Sequence, residues 1–114
     1  MDENTKTWII NFFQTPRGEN PVLEFIEDQD KPTQTKITHA IDLLEMGGPY
    51  LKPPYMKKLQ SNLFELRISG KIAIRIFYTM INSEYHLLHV FKKKTQKTPS
   101  KELKIAIDRL KKLV

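Results

Sequence analysis

Between Leu63 and Lys93 the chain repeats one pattern three times, an alternating run of apolar residues followed by residues that turn. The runs are Leu63 to Ile68, Ile72 to Ile81 and Tyr85 to Lys93, separated by Ser69-Gly70-Lys71 and Asn82-Ser83. Period-two alternation with such short connections predicts an antiparallel meander, because turns this short reverse the chain directly. Phe64, Leu66 and Ile68 share one face of the first strand, and Ile72, Ile74, Ile76 and Tyr78 share one face of the second. A three-residue Ser-Gly-Lys loop sets Ile68 opposite Ile72 and Glu65 opposite Arg75. It also keeps one face wholly apolar, which is what fixes register in a half-buried sheet. The other face then shows Glu65, Arg67, Arg75 and Phe77. The parity of the third strand depends on the Asn82-Ser83 turn. A two-residue turn places Val90 and Lys92 on the arginine face; a shift of one residue places His89, Phe91 and Lys93 there.

Helical signals flank the meander. Thr7 to Phe13 (TWIINFF) is rich in β-branched and aromatic residues and predicts a strand buried on both faces. After the Gln14 to Glu19 loop, Asn20 supplies an N-cap and Pro21 a first turn for a short helix ending near Asp30, with Val22, Phe25 and Ile26 inward. Pro32 punctuates before a second helix from about Thr33 to Met46, whose spacing buries Ile37, Ala40, Ile41 and Leu44. Gly47-Gly48-Pro49 stops it, and a loop from Pro49 to Tyr55 leads to Met56-Lys57-Lys58-Leu59. Thr98-Pro99 announces a closing helix with Leu103, Ala106, Ile107, Leu110 and Val114 as its packing stripe. The predicted fold is α+β, β-α-α-β-β-β-α, a mainly antiparallel sheet with its helices packed on one face. No repeat, low-complexity tract or linker divides the 114 residues, so residues 1–114 are expected to form one domain.

The charge is segregated along the chain. The net charge is +6, but residues 1–45 hold four basic residues against nine acidic ones, a balance of −5. Residues 46–114 hold fifteen against four, a balance of +11. A small domain with a basic side expects a polyanion as partner. With no cysteine, disulfide frameworks, Cys-ligated zinc and thiol nucleophiles are excluded. No run approaches the ~18 apolar residues of a membrane span. The acidic start, with Asp2 and Glu3, is unlike the basic start of a secretory signal. A cytoplasmic protein without membrane contact is expected.

Around the arginine face come Lys57 and Lys58 before the meander, and Lys92, Lys93, Lys94 and Lys97 at its end. Cations interleaved with aromatic rings suit single-stranded RNA, the cations neutralising phosphates and the rings stacking on bases. The same groups suit RNA cleavage without a metal. Arg, a fixed cation, stabilises a pentavalent phosphate, and Lys or His with a lowered pKa can move protons. The bland readings are a solvated cross-strand ion pair for Glu65 and Arg75, and a packed core histidine for His89. His39, His86 and His89 have no carboxylate at ligand spacing, so no metal site is predicted. No phosphate-cradling glycine loop and no nucleophile elbow is present.

Three blocks of the chain, in order, resemble the HigB-like branch of the RelE/ParE toxin superfamily: Leu59 to Arg67 (LQSNLFELR), Arg75 to Tyr78 (RIFY) and Leu87 to Pro99 (LLHVFKKKTQKTP). The last block is the most specific. The resemblance implies a type II toxin–antitoxin toxin that enters the ribosomal A site and cuts mRNA, leaving a 2′,3′-cyclic or 3′-phosphate, with no metal and no cofactor. It would make Arg67, Arg75, Lys93 and Lys94 the catalytic set, the arginines holding the scissile phosphate. Lys57, Lys58, Lys92 and Lys97 would contact RNA and ribosome together with His89, with Phe77 or Phe91 as stacking platforms. The implied partners are the ribosome, mRNA and an acidic cognate antitoxin, often with a helix-turn-helix domain. The chain departs from many relatives in having no evident Tyr or His near its C-terminus to act as base. Two other readings follow: a non-enzymatic inhibitor of DNA gyrase, like the ParE branch, and a plain RNA-binding domain.

Overall fold

The computed structural model describes residues 7–114; the acidic start before Thr7 lies outside them. In chain order the elements are β1 (Ile10–Phe12), α1 (Pro21–Glu27), α2 (Lys31–Gly47), a 3₁₀ turn (Gly48–Tyr50), β2 (Met56–Gln60), β3 (Leu63–Ile68), β4 (Ala73–Ile81), β5 (Glu84–Lys93) and α3 (Ser100–Leu113). The strands form one sheet in the order β1-β5-β4-β3-β2. Strands β2 to β5 are an antiparallel meander, and β1 pairs parallel to β5. The mixed α+β class follows the sequence pattern, but the meander has four strands rather than three. Met56 and Leu59 stand three residues apart and turn to opposite faces of β2, so neither face shows an alternation.

The hairpin register also differs. Ile68 lies opposite Ile74, Arg67 opposite Arg75, and Glu65 opposite Phe77. The connection is longer than Ser-Gly-Lys, and Ile72 is left in it, 51% exposed. A slip of two residues keeps every side chain on its expected face, so alternation alone could not detect it. At the next turn Asn82 and Ser83 both have positive φ (51° and 66°), as the tight two-residue hairpin turn demands. The pairing then shifts by one residue: Tyr78 faces Leu87, Phe77 faces His89, and Leu88 is the extra residue of a bulge. Both sequence alternatives are therefore realised, the two-residue turn first and the shifted parity after it. His89, Phe91 and Lys93 end on the face of Arg75 and Phe77.

The helix ends follow local chemistry. Asn20 caps α1, its Oδ1 accepting from the Leu23 N–H (3.3 Å), while the Glu24 carboxylate accepts from the Asn20 N–H (2.9 Å). Helix α1 stops at Glu27, short of Asp30, because Asp30 is the cap of α2 and accepts from the Thr33 N–H (2.9 Å). Pro32 accordingly lies inside the first turn of α2, where its missing N–H is not needed. Ile37, Ala40 and Leu44 are buried as their spacing predicts, with Ile41 half-buried. Gly48 ends the helix at φ 51°, and a Cβ there would run into the Trp8 indole. Thr98 does not cap α3; Pro99 occupies the cap position without a side-chain bond.

Helices α1 and α2 cover one face of the sheet, with Val22, Ile37 and Leu44 packed on Leu66, Ile74, Ile76, Tyr78 and Leu87. Helix α3 covers part of the other. Leu103, Ala106, Ile107 and Leu110 pack there on Phe13, Leu63, Phe77, Leu88 and Phe91. The expectation of helices on one face is thus corrected: the face marked by Glu65, Arg67 and Arg75 also carries Leu63 and Phe77, and the bulge adds Leu88 and Phe91. Half of it is apolar enough to require a cover. Val114, expected in the α3 stripe, is 83% exposed, and Leu113 packs instead. Among the described residues no helix is long and apolar enough to cross a membrane.

Candidate functional site

The part of that face outside the apolar cluster is polar. In β3, side-chain alternation puts Glu65 and Arg67 on it together, and the register sets Arg75 of β4 directly opposite Arg67. Two like charges opposite each other in a sheet repel. Glu65 resolves this. Its side chain is 1% exposed, and its Oε1 accepts from Arg67 Nε at 3.1 Å and lies 3.9 Å from Arg75 Nε. Arg75 also donates through NH1 to the Ile74 carbonyl (3.0 Å). One carboxylate between two guanidiniums leaves a net positive charge at the surface, where Arg67 retains 31% and Arg75 14% of its side-chain exposure. Burial lowers the pKa of Arg75, the Glu65 charge opposes that shift, and Arg67 adds to it. The Glu65 Oε2 and Arg75 Nε have no hydrogen-bond partner. This buried, shared carboxylate is a different object from the solvated ion pair that the sequence alone permitted.

The lysines divide by parity. Lys57 is exposed on β2 directly opposite Glu65, and Lys93 is half-buried on β5 on the Arg75 side, so both join the arginine face. Lys58 and Lys92 pair with Phe64 and Ile74 and turn to the α1–α2 side, where both are exposed. Lys94 and Lys97 are exposed in the loop before α3. The eight basic residues singled out in the sequence are therefore not one patch, and Arg67, Arg75, Lys57 and Lys93 are the four brought to one face.

Phe77 and Phe91 are not available as stacking platforms. They are 0% and 5% exposed and pack edge-to-face on each other under α3, with ring centroids 5.1 Å apart. His89 lies beside them and is tied on both ring nitrogens. Nε2 is 2.7 Å from Glu102 Oε1, and Arg109 NH1 approaches Nδ1 at 3.3 Å while donating to the Leu88 carbonyl at 2.8 Å. An arginine cannot accept, so this arrangement assigns the ring proton to Nε2, donated to Glu102. Burial lowers the His89 pKa; the Glu102 hydrogen bond and charge oppose this, and Arg109 reinforces it. The histidine acts as a clamp between β5 and α3. Neither Glu102 nor Arg109 was singled out in the sequence, since a helical Glu and Arg seven residues apart read as ordinary surface charge. Among the described residues no group of three His, Asp or Glu side chains is placed to hold a metal ion.

Residues 24–111, most of the chain, match the family of phage-derived Gp49-like proteins (DUF891). The chain belongs to that family. It is a family of the RelE toxin type, so this is a toxin-like protein. The matched stretch runs from α1 into the last turn of α3 and contains every residue of the arginine face. No curated protein matches the chain.

Proposed function

We propose that this Gp49-like chain is the toxin of a type II toxin–antitoxin pair, of the HigB kind, and that it cuts mRNA on the ribosome. The observation that carries the reading is the pair Arg67 and Arg75, set opposite each other and anchored by one buried carboxylate. Phosphoryl transfer to an attacking 2′-oxygen, with the 5′-oxygen as leaving group, needs fixed cations on the equatorial oxygens of the phosphate. Two guanidiniums whose Nε sides face inward direct their NH1 and NH2 ends outward for that purpose, with Arg75 NH1 also bonded to the Ile74 carbonyl. Lys57 and Lys93 flank them on the same face and supply further phosphate contacts and proton transfer. Lys94 and Lys97 in the loop before α3, and Lys58 and Lys92 on the α1–α2 side, add contacts to ribosomal RNA, and the acidic antitoxin covers the arginine face when the toxin is silent. The protein is expected in the cytoplasm, where translating ribosomes are.

The test is to add the purified chain to translating ribosomes and map the RNA ends. Cleavage is expected, and Arg67→Ala or Arg75→Ala should each slow it by about 10²-fold. Variants that cut mRNA and arrest growth like the parent would overturn the assignment. One observation favours a second reading, a non-enzymatic gyrase inhibitor: His89, the histidine nearest the arginines in register, has both nitrogens engaged and offers no free base. Stabilised gyrase–DNA cleavage complexes with intact mRNA would establish that reading instead.

A further inference from the structure

With Phe77 and Phe91 buried, the aromatic surface an RNA strand can reach lies elsewhere. Tyr50 is 80% exposed and Tyr55 52%, both in the connection between α2 and β2. Lys52, Lys57 and Lys58, also exposed, interleave with them. No Asp or Glu occurs between Glu45 and Glu65. Large apolar rings left in water singly are ordinary, but two within six residues, each two residues from a lysine and free of acidic neighbours in sequence, match what a single strand requires. Pro49, Pro53 and Pro54 restrict the same connection, which lowers the entropy lost when a ligand orders it.

The connection leads to the arginine pair. The Arg67 N–H donates to the Tyr55 carbonyl at 2.9 Å. Tyr55 and Arg67 also line a groove of about 390 Å³ against α2, edged by Lys36 and His39 and lined by no acidic side chain. A protein-docking patch would be continuous and apolar; here lysines alternate with rings, which favours a polyanion carrying flat bases.

We propose that residues 49–58 form a track for single-stranded RNA that delivers the strand to Arg67, with bases stacked on Tyr50 and Tyr55 and phosphates on Lys52 and Lys57. The proposal rests on the reading of the partner as RNA, and it concerns binding rather than cleavage. The experiment is fluorescence anisotropy of the full chain with a labelled single-stranded RNA of about 12 nucleotides at low salt. Tyr50→Ala and Tyr55→Ala should each weaken binding roughly tenfold, while Tyr55→Phe, which keeps the ring, stays within roughly twofold of the parent. Urea midpoints should be unchanged, because both rings are on the surface. Alanine variants that bind within roughly twofold of the parent overturn the track, whatever they do to a protein partner, and so does a parent chain that does not bind the strand. Ribosome-dependent cleavage with unaltered binding by the tyrosine variants would remove the track and leave the toxin reading standing. Tyrosine-dependent binding without cleavage would do the reverse.

Discussion

Glu65 is a carboxylate with almost no water around it, directly below two arginines that would otherwise repel each other. A buried charge is tolerated only when paired, and removing its partner leaves an uncompensated ion. That makes Glu65 the organiser of the arginine face, although the residue itself has no access to a substrate. His89 shows the same dependence on surroundings. A histidine whose folded pKa lies below its ordinary value near 6.5 binds its proton more weakly folded than unfolded. The stability it contributes is complete above that ordinary value and is lost as the pH falls from there through the folded pKa. His86 is lowered in the same direction, chiefly by burial. The urea midpoint should therefore fall between about pH 7.5 and about pH 5.5. His89→Gln should flatten part of that fall, leaving the share due to His86. An unchanged slope in the variant would show that the clamp does not carry the titration.

At the scale of elements, the bulge at Leu88 decides most. It turns His89, Phe91 and Lys93 to the arginine face and supplies, with Phe77 and Leu63, the apolar half on which α3 lies. Phe77 is then a core residue. Phe77→Ala should cost about 3–5 kcal/mol of stability in urea unfolding, and Phe77→Leu less than about 1.5 kcal/mol. Phe77→Leu should also leave RNA affinity unchanged, since its ring touches no solvent; a large loss of affinity at intact stability would contradict that placement. Much of this level was legible in the residues. The buried positions of α2 follow from 3.6-residue spacing, and the Asn82-Ser83 turn from its own chemistry. Strand β2 is hidden because its two apolar residues face opposite sides; α2 begins two residues before the Thr33 that the pattern suggests, and the cap of α3 falls on Pro99, one residue after Thr98. A proline at the second helical position reads as a break until the cap two residues before it is known.

On the scale of the whole molecule, the basic excess of residues 46–114 is spread over both sides of the sheet rather than gathered on one. Lys57, Arg67, Arg75 and Lys93 meet on the arginine face, and Lys58 and Lys92 turn away. RNA binding should accordingly depend steeply on salt. Lys57→Ala and Lys93→Ala should each lower the slope of log K against log salt by about 0.7, the single-strand value for one phosphate contact. A parent slope near zero would rule out an electrostatic interface. Charge at this scale steers a polyanion toward the molecule; the chemistry at its end depends on a few side chains.

By itself the sequence determined the class of fold, the alternation of the strands and which residues of β3 and β4 share a face, because these depend on periods of two and 3.6 and on local turn and cap chemistry. It also determined the family and the segregation of charge. Tertiary structure alone decided that Arg67 lies opposite Arg75, that Glu65 is buried between them, that α3 crosses to the arginine side, and that Tyr50 and Tyr55 rather than Phe77 and Phe91 face solvent. A two-residue slip and a one-residue bulge leave almost no mark on a local pattern. Their consequences are set by which apolar surfaces remain to be covered once the whole chain has packed.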